Sequence, residues 1–194
     1  MYIKNPKDNP VIRRIAIIGS FILTIHWRIL SHKRISFGKN FICDWRFTIR
    51  GPGHVTIGDN VTAWSRKEPT GITTFSPEAT VTIGNNVRLN GCEIQCVQSV
   101  TIDNDTIIGS AVIVDTDFHS LRSDRATNPT APVSTKPIHI KHSAWIAGRC
   151  AILKGVTVGT NAVAGFGSVV TRDIPDNTIV TGNPAKAVKN ITDN

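Results

Sequence analysis

One string of residues could move protons: Asp115-x-Asp117-x-His119, within VDTDFHSL. An imidazole titrates near neutrality, at about 6.5 for the free side chain, so it can take a proton from a hydroxyl and return one to a leaving group. Asp115 or Asp117 could orient the ring, meet a second reactant, or only cap a turn. A loop histidine can equally be a solvated residue, and residue types alone leave both readings open. The four cysteines, Cys43, Cys92, Cys96 and Cys150, show no CxxC spacing and no histidine placed as a zinc site needs. They read as reduced structural thiols, and no metal is expected.

The chain has 194 residues, 40% hydrophobic and 19% charged, the composition of a folded, water-soluble domain. Aromatic residues make up only 6%, so Ile and Val must fill the core, which favours β structure. The net charge of +8 is unevenly placed. Residues 1–50 hold ten Lys/Arg and two Asp, whereas residues 51–194 hold twelve of each sign. No aromatic-basic stacking pattern accompanies the excess, so nucleic acid is not the expected partner. An anionic membrane face and a merely solvated basic arm both fit.

The elements that must position His119 follow from a repeat. FGKNFI from Phe37, IGDNVT from Ile57, IGNNVR from Ile83, IDNDTI from Ile102, IKHSAW from Ile140 and VGTNAV from Val158 share one pattern. From Ile140 the period is six without a break: Ile140, Ile146, Ile152, Val158, Ala164, Val170. Four residues after the first five come Ala144, Cys150, Val156, Ala162 and Ser168. Neither a helix nor an alternating strand repeats at six. Three flat faces per turn do, each with one large and one small residue inward, giving an 18-residue coil that stacks by parallel pairing. The expectation is an all-β solenoid, a parallel β-helix of about six coils over residues 37–176. The block starts are separated by 20, 26, 19, 38 and 18 residues. The excess of eight predicts a small loop near Trp64 to Gly71, and the excess of twenty a long loop near residues 119–138 at the foot of which His119 stands. Long insertions on a rigid solenoid are usually functional.

Residues 1–36 form a basic segment in which Val11, Ile15, Ile18, Ile22, Ile25 and Ile29 recur at spacings of three and four, an amphipathic helix. Its apolar stripe could cap the exposed end of the first coil, or lie on a membrane with Arg13, Arg14, Arg28, Lys33 and Arg34 beside it. The apolar run from Ile15 to Ile25 is too short to span a bilayer, and no signal-peptidase site follows, so a cytoplasmic protein is expected, with peripheral contact at the inner membrane face through residues 11–34. In the tail, residues 177–194, Gly182-Asn183-Pro184 marks a turn, and a short helix from Ala185 to Ile191 would carry Lys186 and Lys189.

The hexads, VDTDFHSL, and the run AWIAGRCAILKGVTVGTNAVAGFGSVVTRDIPDNTIVTGNPAKAVKNI resemble the hexapeptide-repeat acyltransferases, especially sugar O-acetyltransferases of the galactoside, maltose and polysaccharide-modifying kind. The resemblance covers about residues 55–191. It implies that the β-helix is left-handed, a choice that spacing cannot make. It also implies a homotrimer with acetyl-CoA in the groove between neighbouring subunits and a sugar or glycan precursor as acceptor. Position by position, it implies CoA contacts at Gly148, Phe166, Thr171 and Arg172, and at Lys186 and Lys189, with the cations toward the phosphates. It implies catalysis by His119 and an acceptor contact at Asn90, and Asp117 is taken as the ring partner from its place in the Asp-x-Asp-x-His string. Two features depart from the galactoside and maltose branch. Ser120 stands where that branch has proline, and residues 1–36 lack its acceptor-binding segment, so the acceptor is not inherited from it.

On this reading His119 removes the proton from an attacking hydroxyl, and a backbone N–H or Asn90 stabilises the oxyanion. An acyl-cysteine route is the rival, though Cys150 falls at an inward hexad position. A sugar amine or a small xenobiotic is the alternative acceptor. A zinc enzyme of the γ-carbonic-anhydrase kind would need His119, His139 and His142, whose separations of 20 and 3 do not match that family. A non-catalytic scaffold would have no use for the histidine or the CoA-contacting run.

Overall fold

The computed structural model describes residues 10–30, 34–65 and 68–192. A 21-residue helix, α1 (Pro10–Leu30), precedes a left-handed β-helix. Three parallel sheets form its faces. The first face stacks Ile35–Phe37, His54–Ile57, Thr80–Ile83, Ser99–Ile102, Ile138–Ile140 and Thr157–Val158. The second stacks Ile42–Cys43, Thr62–Trp64, Arg88–Asn90, Ile107–Ile108, Trp145–Ile146 and Val163–Ala164, and is completed by Thr178–Gly182 and Ala185–Asn190. The third stacks Thr48–Arg50, Gly71–Thr74, Glu93–Cys96, Val112–Val114, Ala151–Leu153 and Val169–Val170.

The register pairs the block starts with one another: Phe37 lies on Ile57, then Ile83, Ile102, Ile140 and Val158. All six are buried, as are the small inward residues Ala144, Cys150, Val156, Ala162 and Ser168. The six-residue period is therefore the packing period of the core. Three residues after each large inward residue, the chain turns through the left-handed region, at Asn40, Asn60, Asn86, Asp105, Ser143 and Asn161, with φ of 56–61°. Asn and Asp tolerate this conformation, and their side chains then bond along the axis. Asn40 Nδ2 donates to Asn60 Oδ1 at 3.0 Å, Asn60 Nδ2 to Asn86 Oδ1 at 3.1 Å, and Asn86 Nδ2 to Asp105 Oδ1 at 3.0 Å. The glycine of the IG pair has a separate reason: a Cβ on Gly58 would lie 2.7 Å from the Gly84 backbone of the next coil.

The excess of eight residues is not one loop near Trp64 to Gly71. Ala63 to Gly71 takes eight steps where its paired counterpart, Leu89 to Glu93, takes four, and Thr74 to Thr80 takes six where Cys96 to Ser99 takes three. The surplus is split between two corners, which total residue spacing cannot reveal. The surplus of twenty is a single excursion that leaves the third face at Asp115 and returns at Lys136, whose N–H donates to the Asp115 carbonyl at 2.9 Å.

Both ends are covered. At the first coil the inward positions include Phe37, Phe41 and Phe47, and Trp27 of α1 packs on this cluster, 5.4 Å from Phe47 edge-on and 5.9 Å from Phe37. Ser20, fully buried, meets the open edge of the second face. Its Oγ accepts from Cys43 N–H at 2.8 Å and lies 2.6 Å from the Ala16 carbonyl. The capping face is thus Ala16, Ser20, Leu23 and Trp27. The stripe picked out by periodicity, Val11, Ile15, Ile18, Ile22, Ile25 and Ile29, points the other way and is 41–69% exposed. The assignment of that stripe to the cap is corrected: at about 100° per residue the capping residues lie on the opposite side of the helix, and a buried serine with a backbone edge to satisfy carried no apolar signal. At the far end, Ala185–Asn190 is a strand, not a helix, folded antiparallel onto Thr178–Gly182. The turn at Gly182 to Pro184 reverses the chain onto an unpaired edge, and ladder bonds there outweigh local propensity.

Replacing Ser20 with alanine leaves the Cys43 amide without its acceptor and should lower unfolding free energy by about 1–3 kcal/mol in a denaturant titration. Ile18→Ser, on the outward side, should change it by no more than about 0.5 kcal/mol.

Candidate active site

At the root of the long excursion Thr116 bridges Thr135, and Asp117 N–H donates to the Ser134 carbonyl at 3.1 Å. The chain then reverses through Phe118 at φ 57°, a strained setting for a bulky residue and one that clusters at functional sites. Phe118 N–H donates to Thr116 Oγ1 at 3.1 Å, and His119 N–H to the Asp117 carbonyl at 2.6 Å. Phe75 holds the Phe118 ring edge-on, with centroids 5.0 Å apart. The turn leaves the His119 side chain exposed at the corner between the third and first faces, its ring without a hydrogen bond among the described residues.

The two carboxylates separate cleanly. Asp115 is fully buried and caps the preceding coil, accepting from Val97 N–H at 2.8 Å and Gln98 N–H at 2.7 Å. Both of its oxygens are committed to backbone, so it is structural. Asp117 Oδ1 takes the Lys154 ammonium at 2.9 Å, while its buried Oδ2 has no partner among the described residues. Asp117 therefore meets Lys154 and not the His119 ring. Sequence reasoning passed over Lys154. The signal was present, because register sets Val114 on Leu153 and so brings Lys154 one coil above the DxD string.

The other candidates fall at separate places. Thr171 and Arg172 follow the strand Val169–Val170 at the same corner as His119, two coils further on, and both are exposed. Gly148 and Phe166 stack at the opposite corner, between the second and third faces. There Gly167 N–H donates to the Gly148 carbonyl at 3.0 Å, Arg149 lies 5.5 Å over the Phe166 ring, and Phe166 is exposed. A Cβ on Gly148 would press on that ring at 3.3 Å, so glycine keeps the step between the two coils open. Lys186 and Lys189 are exposed on the final strand of the second face. Asn90 ends Arg88–Asn90, its amide 3.4 Å from the Ile108 carbonyl. It is separated from the His119 corner by the width of the third face, about 13 Å at ~3.3 Å per residue. Within one chain, Asp117 meets Lys154 at the turn that carries His119, and Gly148 meets Phe166. Asn90 and the two lysines join neither group. Along the third face runs an open groove of about 580 Å³, lined by Trp45, Arg46, Arg50, Glu68, Gly91, Glu93 and Ser110.

The remaining reactive groups are engaged elsewhere. His139 Nε2 lies 3.0 Å from Asp103 and His142 Nδ1 3.6 Å from Asp105, both away from the His119 turn, so the three histidines do not converge. All four cysteines are buried free thiols. Burial pushes Cys92 and Cys96 up to about 12 and Cys43 up to about 11, and raises Cys150 as well. None supplies a thiolate at neutral pH.

No protein-family model matches the chain. It is 30% identical over 149 residues, 73% of its length, to WbbJ of Escherichia coli K12, a protein named as a lipopolysaccharide biosynthesis O-acetyl transferase, of which the match covers 74%. It is 33% identical over 139 residues to the galactoside O-acetyltransferase of Escherichia coli K12, covering 71% of this chain and 64% of that one. Among solved structures, a hexapeptide-repeat-containing acetyltransferase of Vibrio cholerae complexed with acetyl coenzyme A superposes with a TM-score of 0.59 at 21% identity, over 96% of this chain and 92% of that one.

Treatment of the folded protein with iodoacetamide at about pH 8 should leave Cys92 and Cys96 unmodified by peptide mass spectrometry, with labelling only after denaturation.

Proposed function

The chain belongs to the hexapeptide-repeat acetyltransferase family, and from that premise we propose that it transfers the acetyl group of acetyl-CoA to a hydroxyl of a sugar or glycan precursor, with His119 as general base. The observation that carries this reading is the strained turn at Phe118, which presents an exposed His119 at the root of the long excursion, two residues on from the Asp117–Lys154 ion pair. A merely solvated histidine would need no such scaffolding.

In the reaction, a nitrogen of the His119 ring accepts the hydroxyl proton as the acceptor oxygen attacks the thioester carbonyl. The tetrahedral oxyanion collapses, the C–S bond breaks, and the imidazolium returns its proton to the departing thiolate. Asp117, held by Lys154 through Oδ1 and with its Oδ2 buried, supports the turn that carries His119 and does not contact the reactants. The high thiol values argue against an acyl-cysteine intermediate.

The donor contacts lie on two corners of one chain: Gly148 and Phe166 on one, His119, Thr171 and Arg172 on the other. A groove between neighbouring subunits would unite them, which supports a homotrimer. In it the pantetheine arm would run along the coil edges at Gly148 and Phe166, and Arg172, Lys186 and Lys189 would meet the phosphates. Asn90 would then reach the reacting carbonyl from a neighbour. The groove bearing Trp45, Glu68, Glu93 and Ser110 offers a ring face and hydroxyl-binding groups, as a sugar requires. Acetyl-CoA as donor supports a cytoplasmic site of reaction.

His119→Ala should lower kcat by about 10²- to 10⁴-fold while the Kd for CoA stays nearly constant. A variant with near-normal turnover on glycan acceptors would overturn the role. Mixing His119→Ala subunits with Gly148→Trp subunits, each inactive alone, should restore part of the activity once mixed trimers are confirmed by mass. No recovery would assign each site to a single chain.

A further inference from the structure

The side of α1 that faces away from the solenoid is more apolar than the side that packs on it. Val11, Ile15, Ile18, Phe21, Ile22, Ile25 and Ile29 fall on one arc of about 120°, at 3.6 residues per turn, and every one is exposed. Apolar patches on soluble monomers seldom exceed a few hundred Å², and a larger one marks a contact surface. The capping side has already met its own needs through Ser20, Leu23 and Trp27, so the end of the β-helix does not require this second apolar face. A groove of about 500 Å³ extends it, walled by Ile15, Ile22, Leu23, Trp64 and Trp45, the last 85% exposed.

Charge decides what can cover it. From residue 10 to residue 43 the chain has no Asp or Glu and six Lys/Arg, namely Arg13, Arg14, Arg28, Lys33, Arg34 and Lys39. Asp44, the carboxylate that lines the groove, accepts from Arg46 N–H and from Ser65 N–H and Oγ. A second copy would bring a segment of one charge sign against itself, which disfavours self-association. A surface that offers both a hydrocarbon boundary and fixed negative charge satisfies the face and its flanks together. No described helix is long and apolar enough to cross a membrane, so the helix would lie in the plane of the interface.

We propose that the outward face of α1 docks on an anionic lipid bilayer. The helix caps the first coil, and His119 follows the fourth, so docking holds the reacting corner about 25 Å from the interface, three coils at ~4.8 Å plus one helix diameter of ~10 Å. Docking itself does not depend on the chemistry at His119.

The test is co-sedimentation of the full chain with vesicles of phosphatidylglycerol and phosphatidylcholine, against vesicles of phosphatidylcholine alone, at about 50 mM and about 500 mM salt. The expected result is binding to the anionic vesicles at low salt, weaker binding at high salt, and little to the neutral ones. The double variant Ile18→Glu, Ile25→Glu should bind at least about tenfold more weakly, with its thermal midpoint and its turnover of a soluble acceptor unchanged. Wild-type protein left in the supernatant at low salt would overturn the proposal, as would equal sedimentation of the double variant. A double variant that changes oligomeric state in sedimentation velocity would instead assign the face to a second copy.

Discussion

Each coil of this protein turns at one corner through a residue with φ near +57°, three positions after a large inward side chain. That backbone setting is costly for most L-residues, and Asn or Asp bears it most easily. Because the same geometry recurs, the side chains of successive corners stand one above another and bond along the axis, and the inward Ile and Val residues stack in columns. The polar corner and the apolar core are therefore one constraint: shifting either out of register breaks both.

The same constraint tells the chain where it can leave the solenoid. The corner between the first and second faces carries the Asn ladder and admits no insertion, since an extra residue would displace a left-handed turn. Extra residues accumulate at the other two corners, and the longest excursion opens at the one that bears His119. The excursion is anchored at its root by the Thr116–Thr135 bridge and by the bonds of Asp115 to the preceding coil, and it holds its own fold at the tip, where Asp124 takes Arg122 at 2.9 Å and Asn128 at 3.1 Å. The Arg122 and Asn128 donors hold the Asp124 carboxyl below its usual range. A rigid stack thus carries a reactive side chain on a separately built loop, the division of labour by which binding residues sit on loops and precision comes from the scaffold.

At the N-terminal end, the first coil departs from the Ile and Val rule and is filled by Phe37, Phe41 and Phe47, which with Trp27 close the open cross-section. The helix is bound by aromatic packing and by one buried hydroxyl, which leaves its most apolar arc outward. Hydrophobic periodicity finds an apolar arc but cannot say which surface it meets. Ser20 and Ala16 were invisible to it because a small residue marks close approach only when the partner is known.

The sequence alone determined the solenoid, since a six-residue period from Ile140 to Val170 fits neither helix nor alternating strand, and the block starts from Phe37 to Val158 are the residues that register brings together. It also singled out His119, through the Asp-x-Asp-x-His string beside a twenty-residue surplus together with the family resemblance. Tertiary structure decided what depends on distances between coils: that Asp115 serves the backbone of the preceding coil while Asp117 pairs with Lys154, that Asn90 stands across the third face from His119, and that the tail is a strand because an unpaired sheet edge awaited it. Spacing along the chain fixes which residues share a face. Only the stacked backbone fixes which corner, which partner and which side of a helix each side chain meets.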